Sequence, residues 1–204
     1  MVCTGQSCIA AKRFIVAERL ALPFAQKLAA RMLSLKAGDP LDGATQLGPL
    51  SSEQILQELL GQLDDSVAAG ARVLAGGRRL ERRGFYLEPS VVVDVTPAMR
   101  LAREEVFGPI APILAVSGDD EALRVANASE FGLGGSVWTA DAQRGERVAR
   151  RIEAGTVFVN SIVKSDPRMP FGGVKRSGIG RELSWQGLRE FVNVKGISVY
   201  AAES

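Results

Sequence analysis

A cysteine near the start of the chain has the surroundings of a displayed nucleophile. Cys8 follows the turn-forming residues 5–7 (GQS) and leads into an apolar, strand-like run. A thiolate adds readily to a carbonyl carbon and later leaves readily, which suits covalent catalysis. A free cysteine is more often a small buried hydrophobe. The local residues therefore leave two roles open for Cys8, nucleophile or packed thiol.

The chain contains no histidine, and this excludes several kinds of site within it. A Ser-His-Asp triad and a Cys-His dyad both need an imidazole. Zinc usually takes four ligands from Cys, His and carboxylates, and the two cysteines, Cys3 and Cys8, are too few, so we expect no metal site. If Cys8 is a nucleophile, a group other than imidazole must favour its thiolate.

The elements that must position such residues alternate between strand and helix patterns. We predict strands over residues 11–17, 71–74, 85–95, 111–117, 131–139, 156–160 and 192–200. We predict helices over residues 18–36, 51–70, 119–128 and 141–154. This alternation predicts an α/β fold, a mainly parallel twisted sheet flanked by helices. Active groups of such sheets lie on loops beyond the strand ends, as loops 4–8, 104–109 and 160–182 would.

Three of these elements carry more detailed predictions. The apolar stripe of the first helix is expected to consist of Leu20, Phe24, Leu28, Met32 and Leu35. The second helix is expected to begin with a capping box formed by Ser51 and Gln54. The strand over residues 156–160 (TVFVN) has the composition of a strand that is buried on both faces.

Composition and charge narrow the class of protein. Apolar residues make up 46% of the 204 residues and charged residues 24%, which is ordinary for a globular domain. A net charge of +2 is too small to indicate a nucleic-acid partner. No apolar run is long enough to cross a bilayer, and Met1 is not followed by a signal-peptide pattern. We expect a cytoplasmic protein with neither nucleic acid nor membrane as partner.

Five short motifs follow one another along almost the whole chain. They are GQSC (5–8), EEVFGP (104–109), FGL (131–133), VN (159–160) and PFGGVKRSGIGRE (170–182). Their order and spacing are similar to those of the aldehyde dehydrogenase superfamily. The stretch over residues 165–193 most resembles its succinate-semialdehyde branch. The resemblance implies the catalytic domain of that fold, oxidation of a small aldehyde to its acid, and NAD or NADP as coenzyme.

The resemblance implies roles for three residues of the first two loops. Cys8 would be the nucleophile, forming a thiohemiacetal and then a thioester. Glu105 would accept hydrogen bonds from the ribose hydroxyls of the coenzyme, because a carboxylate can accept two at once. Phe107 would pack against the nicotinamide or its ribose. The alternatives are a solvated acidic pair at Glu104 and Glu105, and an ordinary core aromatic at Phe107.

The third loop carries five further candidates. Glu182 matches a family carboxylate near the hydrolytic water, and would otherwise be an acid favoured at a helix start. Phe171 would line the aldehyde tunnel, and would otherwise be ordinary packing. Asn160 either orients the thiol region or satisfies loop backbone. Ser165 and Arg168 stand where a substrate carboxylate could bind, although a surface arginine is the alternative.

The resemblance also implies parts that these residues do not supply. In the family the coenzyme-binding domain, a general-base glutamate and an oxyanion-stabilising asparagine precede the nucleophile. We therefore expect little or no dehydrogenase activity from the 204 residues alone. Cys3 stands where the family usually has asparagine, and Val2 where one branch has a substrate-binding arginine. We assign residues 1–184 to the catalytic domain and 185–204 to a C-terminal arm.

The arm contains the last apolar segment of the chain. Residues 192–200 resemble the strand through which the family oligomerises, and the alternative is a terminal strand in the chain's own sheet. Because an unpaired apolar edge is sticky, we predict a homo-oligomer. Two other functions stay open: a non-catalytic oligomerising module derived from the family, and a related thiol acyl reductase.

Overall fold

The computed structural model of the chain describes residues 2–201, and only the backbone of Val2. Its helices are α1 (Glu18–Leu33), α2 (Glu53–Ala68), α3 (Arg100–Arg103), α4 (Asp119–Asn127), α5 (Ala142–Ala149) and α6 (Ser184–Arg189). Its strands are β1 (Phe14–Ala17), β2 (Arg72–Ala75), β3 (Ser90–Val93), β4 (Ile110–Val116), β5 (Phe131–Gly132), β6 (Gly134–Val137), β7 (Thr156–Val159) and β8 (Val174–Lys175). A short 3-10 helix precedes them at Val2–Gly5. Met1 of the assigned catalytic domain (1–184) and residues 202–204 of the assigned C-terminal arm (185–204) lie outside the described residues.

The main sheet has four strands in the spatial order β1-β4-β3-β2. Strand β4 runs parallel to both of its neighbours, with Phe14 of β1 opposite Ile113 and Ser90 of β3 opposite Ile110. Strand β2 completes the sheet antiparallel to β3. All residues of β4 except Ala115 are buried, as expected where helices cover both faces of a parallel sheet. The predicted α/β fold with a mainly parallel sheet is confirmed.

The strands of the C-terminal half form two small sheets. Strand β5 pairs antiparallel with β8, and β6 pairs parallel with β7. The predicted single strand over 131–139 is therefore two strands, which pair with different partners. The prediction that residues 156–160 are buried on both faces is wrong, because only Thr156 is buried. Strand β7 has a single neighbour and lies outside the main core, so it lacks the two covering layers that the composition suggested.

Helix α1 covers one face of the main sheet with small side chains. Its buried residues are Ala25, Ala29 and Met32, which pack with Val91 and Ile113 of the sheet. The predicted leucine-rich stripe is wrong in part, since Leu20 is 48% exposed. Alanines spaced four residues apart lie on one face and let the helix approach the strands closely.

Helix α2 covers the opposite face, and its N-cap lies one residue later than expected. The N-cap is Ser52, whose Oγ accepts a hydrogen bond from the Ile55 N–H at 3.2 Å. The predicted capping box of Ser51 and Gln54 is wrong, because the Ser51 N–H donates instead to Gln6 Oε1 at 2.8 Å. Ser51 thus ties the start of α2 to the loop that carries Cys8.

The C-terminal arm lies away from the core in the single chain. Residues 188–200 are all exposed, and the stretch 193–200 forms no helix or strand. The alternative of a terminal strand in the chain's own sheet is thus not what forms. Pairing of this segment with a second subunit stays a prediction. Helices α3 and α6 had no counterpart in the sequence-based assignment, because both are short and lack an apolar period.

Two features are absent from residues 2–201. None of the helices in this range has both the length and the apolar character that a membrane crossing requires. The same range holds no group of three or more His, Cys, Asp or Glu side chains that could bind a metal ion.

Candidate functional site

Cys8 is exposed, in the turn between the 3-10 helix and β1. The packed thiol that composition alone favours is therefore not what the fold produces. The backbone before it is left-handed at Thr4 (φ 58°) and Gly5 (φ 77°). A Cβ on Gly5 would lie only 2.3 Å from the Gly108 carbonyl oxygen. Glycine at this position thus lets the cysteine loop contact the 104–109 loop directly.

Side chains on both sides of that turn anchor it. Thr4 is buried and its Oγ1 donates to the Gly48 carbonyl oxygen at 3.1 Å. Gln6 accepts from the Ser51 N–H at 2.8 Å and donates to the Pro49 carbonyl oxygen at 3.2 Å. The loop is therefore held against residues 48–51, and Cys8 is presented beyond the held part.

The two adjacent glutamates of the second loop have different environments. Glu104 receives two hydrogen bonds from Arg100, at 2.7 and 2.9 Å, and one from Gln62 Nε2 at 3.1 Å. The hydrogen bonds from Arg100 are the main cause that holds the pKa of Glu104 below its usual value; burial opposes them, and the hydrogen bond from Gln62 adds to them. The carboxylate of Glu104 is therefore engaged by neighbouring side chains of the fold.

Glu105 is held by its backbone and exposed at its side chain. Gln62, which is 1% exposed, donates from Nε2 to the Glu105 carbonyl oxygen at 3.3 Å. Within residues 2–201, no hydrogen bond or ion pair engages the Glu105 carboxylate. A fixed backbone with an available carboxylate fits an acceptor of ribose hydroxyls.

Phe107 and Lys12 join the two loops. Phe107 is half-buried, and Lys12 Nζ lies 4.4 Å from the centroid of its ring. The same ammonium donates to the Gly5 carbonyl oxygen at 3.0 Å. Burial lowers the pKa of Lys12, and Glu105 and Cys8 act in the opposite direction. Sequence reasoning missed Lys12, although a cation four residues after a candidate thiol in a histidine-free chain is a visible signal.

An open cleft of about 610 Å³ lies beside Phe107. The cysteine loop contributes Cys3, Thr4 and Gln6 to its walls, and the opposite wall comes from residues 40–51. Cys8 and Glu105 do not line it. Phe107 does line the cleft, and Glu105 lies two residues before it with an exposed side chain. A carboxylate and an aromatic ring fit the ribose and the ring of a nicotinamide coenzyme, which Glu105 and Phe107 would hold.

The third loop brings Phe171 and Glu182 together. Their backbones exchange two hydrogen bonds of 2.8 Å each, as an isolated antiparallel bridge. Phe171 is half-buried and Glu182 is exposed. No hydrogen bond or ion pair among the described residues connects this pair with the cysteine loop. Their predicted roles near the substrate and the hydrolytic water stay predictions.

The other candidates of the third loop have local partners. Both polar atoms of the Asn160 amide bond to the backbone of Thr139, at 2.9 and 2.8 Å. Arg168 forms an ion pair with Asp166 at 2.7 Å, which lowers the pKa of Asp166. Ser165 is exposed. Asn160 therefore forms hydrogen bonds with the loop backbone in this structure. To bind a substrate carboxylate, Arg168 would have to give up its ion pair with Asp166.

The exposed thiol of Cys8 thus lies on a loop that contacts a second loop, which carries an available carboxylate and an aromatic ring. The family model described as "Aldehyde dehydrogenase family" matches residues 1–197. The chain belongs to the aldehyde dehydrogenase family, which confirms the resemblance seen in its five motifs.

The chain is similar to several curated relatives and solved structures. The succinate-semialdehyde dehydrogenase [NADP(+)] 1 of Mycobacterium bovis (strain BCG / Pasteur 1173P2) is 49% identical over 193 residues, 95% of this chain and 42% of that protein. The succinate-semialdehyde dehydrogenase [NADP(+)] of Deinococcus radiodurans is 48% identical over 197 residues, 97% of this chain and 41% of that protein. The structure of betaine aldehyde dehydrogenase from Staphylococcus aureus in complex with NAD+ superposes with a TM-score of 0.88 at 35% identity, covering 93% of this chain and 38% of that one. The chain thus spans about two-fifths of the length of these proteins.

Proposed function

We propose that the chain supplies the catalytic part of an NAD(P)-dependent dehydrogenase that oxidises succinate semialdehyde to the corresponding acid. The observation that carries the proposal is the exposed Cys8 on a loop that contacts the Glu105–Phe107 loop. Similarity to relatives named succinate-semialdehyde dehydrogenase supports the substrate. The NADP(+) in those names and the NAD+ complex of the structural neighbour support a nicotinamide coenzyme.

Cys8 would carry the covalent steps. Its thiolate sulfur bonds to the aldehyde carbon, and the carbonyl π-electron pair moves to oxygen. The Cys8 N–H makes no hydrogen bond among the described residues, so it is available to that oxyanion. Such a donor contributes about 3 kcal/mol in comparable sites. When the carbonyl re-forms, a hydride leaves the carbon and Cys8 holds a thioester, from which water releases the acid and restores the thiol.

The second loop would orient the coenzyme that accepts this hydride. Glu105 binds the ribose hydroxyls, and Phe107 limits where the nicotinamide ring can lie. A bound nicotinamide coenzyme supplies the two-electron acceptor. Glu182 would move the proton of the hydrolytic water, and Phe171 would exclude bulk solvent from the aldehyde.

Substrate choice would depend on the third loop. A substrate with a carboxylate tail needs a cation at the far end of its pocket, and an arginine fork suits that geometry. Arg168 and Ser165 are the candidates, and Asn160 would order the neighbouring backbone. Arg168 is exposed, so exchanging its Asp166 partner for a substrate carboxylate costs little.

The 204 residues alone are expected to show little turnover. The family resemblance implies a general-base glutamate and an oxyanion asparagine before the nucleophile, and we expect neither among these residues. Exposed apolar residues of the arm also support assembly into a homo-oligomer.

A chimera tests the proposed activity. The corresponding part of the 49%-identical Mycobacterium bovis relative is replaced by this chain, and reduction of NADP+ or NAD+ by succinate semialdehyde is followed by absorbance. We expect turnover that is lost in C8S and retained in C3S. A folded chimera that binds the coenzyme but does not oxidise succinate semialdehyde would contradict the proposal. Robust NAD(P)H production by the 204-residue chain alone would contradict its expected inactivity.

A further inference from the structure

We propose that Lys12 is a positioning residue whose ammonium favours the thiolate of Cys8 and holds Phe107 against the cysteine loop. This inference rests on the proposed function, in which Cys8 is the nucleophile and Phe107 contacts the coenzyme. Because these 204 residues contain no histidine, Lys12 would act among them in the place of an imidazole.

Lys12 has one fixed contact with each of the two loops. Its Nζ donates to the Gly5 carbonyl oxygen at 3.0 Å, three residues before Cys8 in the chain. The same atom lies 4.4 Å from the centroid of the Phe107 ring, within the range of a cation–π contact. Gly5 itself packs on Gly108. Both contacts converge on one nitrogen atom, so loss of Lys12 would loosen both loops together.

Of the charged groups near Lys12, Arg13 and Glu104 are engaged by other partners, whereas Glu105 and Cys8 act on its ammonium. The guanidinium of the neighbouring Arg13 forms hydrogen bonds outside both loops, since it donates to the carbonyl oxygens of Val125 at 2.9 Å and Ala126 at 3.0 Å. Across the loop, Glu104 is neutralised by Arg100. The groups that act on Lys12 are therefore Glu105 and Cys8, and both favour its charged form against the effect of burial.

Partial burial makes this charge more effective than that of a surface lysine. Lys12 is half-buried, and charges interact more strongly where water is partly excluded. The ammonium is hydrogen-bonded to the same loop three residues before Cys8, and a cation near a thiol favours the thiolate, which is the reactive form. We therefore expect Lys12 to increase the reactivity of Cys8 near neutral pH.

The test is the alkylation rate of Cys8 by iodoacetamide in the 204-residue chain. C3S serves as the background, so that intact-mass spectrometry reports a single thiol between pH 6.5 and 9.5. We expect K12M to slow alkylation about five- to tenfold at pH 7. The difference should close as the pH rises, because burial lowers the pKa of Lys12 and its ammonium then loses the charge on which the effect depends. K12R, which keeps the cation, should stay within about twofold of the background.

K27M is the matched control, since Lys27 is an exposed lysine of α1 outside both loops. It should alkylate at the background rate. Circular dichroism and alkylation in urea confirm that any change belongs to the folded state. Should K12M fail to fold, K12Q takes its place. Three results would overturn the proposal. The first is that K12M and the background are alkylated at the same rate at pH 7, and the second is that K12M is slowed by the same factor at every pH. The third is that alkylation of K12R is as slow as that of K12M.

The result of the alkylation experiment can be distinguished from the result of the chimera experiment. A pH-dependent loss in K12M with an inactive chimera would support the role of Lys12 toward the thiol and reject the dehydrogenase function. An active chimera whose Cys8 is indifferent to Lys12 would do the reverse.

Discussion

Gly5 shows how a single residue fixes the distance between the two loops of the site. Its φ of 77° lies in the left-handed region, and its missing Cβ leaves room for the Gly108 carbonyl oxygen. Residues with a side chain rarely adopt that backbone conformation. The contact keeps Cys8 and the Glu105–Phe107 segment on neighbouring loops.

Replacing Gly5 by alanine should destabilise the fold. We expect G5A to lower the free energy of unfolding by about 2–4 kcal/mol, because it combines left-handed strain with overpacking against Gly108. Urea denaturation measures the change. G48A is the control, since a Cβ there would meet its nearest neighbour, Thr4 Oγ1, at an ordinary 3.8 Å. A G5A variant as stable as G48A would show that the loops adapt to each other without cost.

At the scale of elements, α2 and α3 hold the loop over residues 104–109 in place. Gln62 of α2 donates to both the Glu104 carboxylate and the Glu105 carbonyl oxygen. Arg100 of α3 bridges Asp65 of α2 and Glu104, at 2.7 Å to each. The network fixes the loop backbone while leaving the carboxylate of Glu105 outside it.

The Glu104 contact should make stability depend on pH. Hydrogen bonds from Arg100 lower the pKa of Glu104 in the folded state, so its stabilisation is complete above the ordinary value of 4.5 and is lost as the pH falls through the folded pKa. We expect E104Q to be less stable than the unmodified chain at pH 7 by about 1 kcal/mol or less. That difference should shrink below pH 4.5.

Thermal or urea unfolding at several pH values measures this effect. E58Q, a change at an exposed glutamate of α2, should leave the pH profile unchanged. If E104Q and the unmodified chain still differed by the same amount near pH 2, the carboxylate would not be the source of the stabilisation.

At the scale of the whole molecule, the apolar side chains of the described residues are buried mainly in one part of the chain and exposed mainly in another. Core residues concentrate on the two faces of the main sheet. The arm instead exposes several large apolar side chains, including Phe191, Val194, Ile197, Val199 and Tyr200. Contiguous exposed apolar residues mark interaction surfaces, so the arm is the segment best suited to contact a second copy of the chain.

Removing the arm should therefore reduce self-association. We expect the 204-residue chain to associate with increasing concentration, and a chain that ends at residue 190 to stay monomeric, as measured by light scattering after size exclusion. The double variant V194K/V199K tests the same surface at full length, since these side chains are 91% and 88% exposed. Undiminished association of both variants would place the interface elsewhere.

The sequence alone predicted much of the fold and part of the site. Apolar periodicity located the long helices and the buried strands, because those patterns depend on neighbours a few residues away. It failed at α1, where Ala25 and Ala29 rather than Leu20 meet the sheet, since close packing favoured small side chains. It also failed at β7, because periodicity does not reveal how many strands will pair with a given one.

What the sequence by itself determined was the α/β class, the family and the identity of Cys8 as the thiol to consider, because order, spacing and the lack of histidine are properties of the chain. Only the tertiary structure decided that Arg100 and Gln62 engage Glu104 while Glu105 keeps an available carboxylate, and that Lys12 reaches Phe107. Those facts depend on contacts between residues far apart in the chain. Such contacts are set by packing, and no local pattern encodes them.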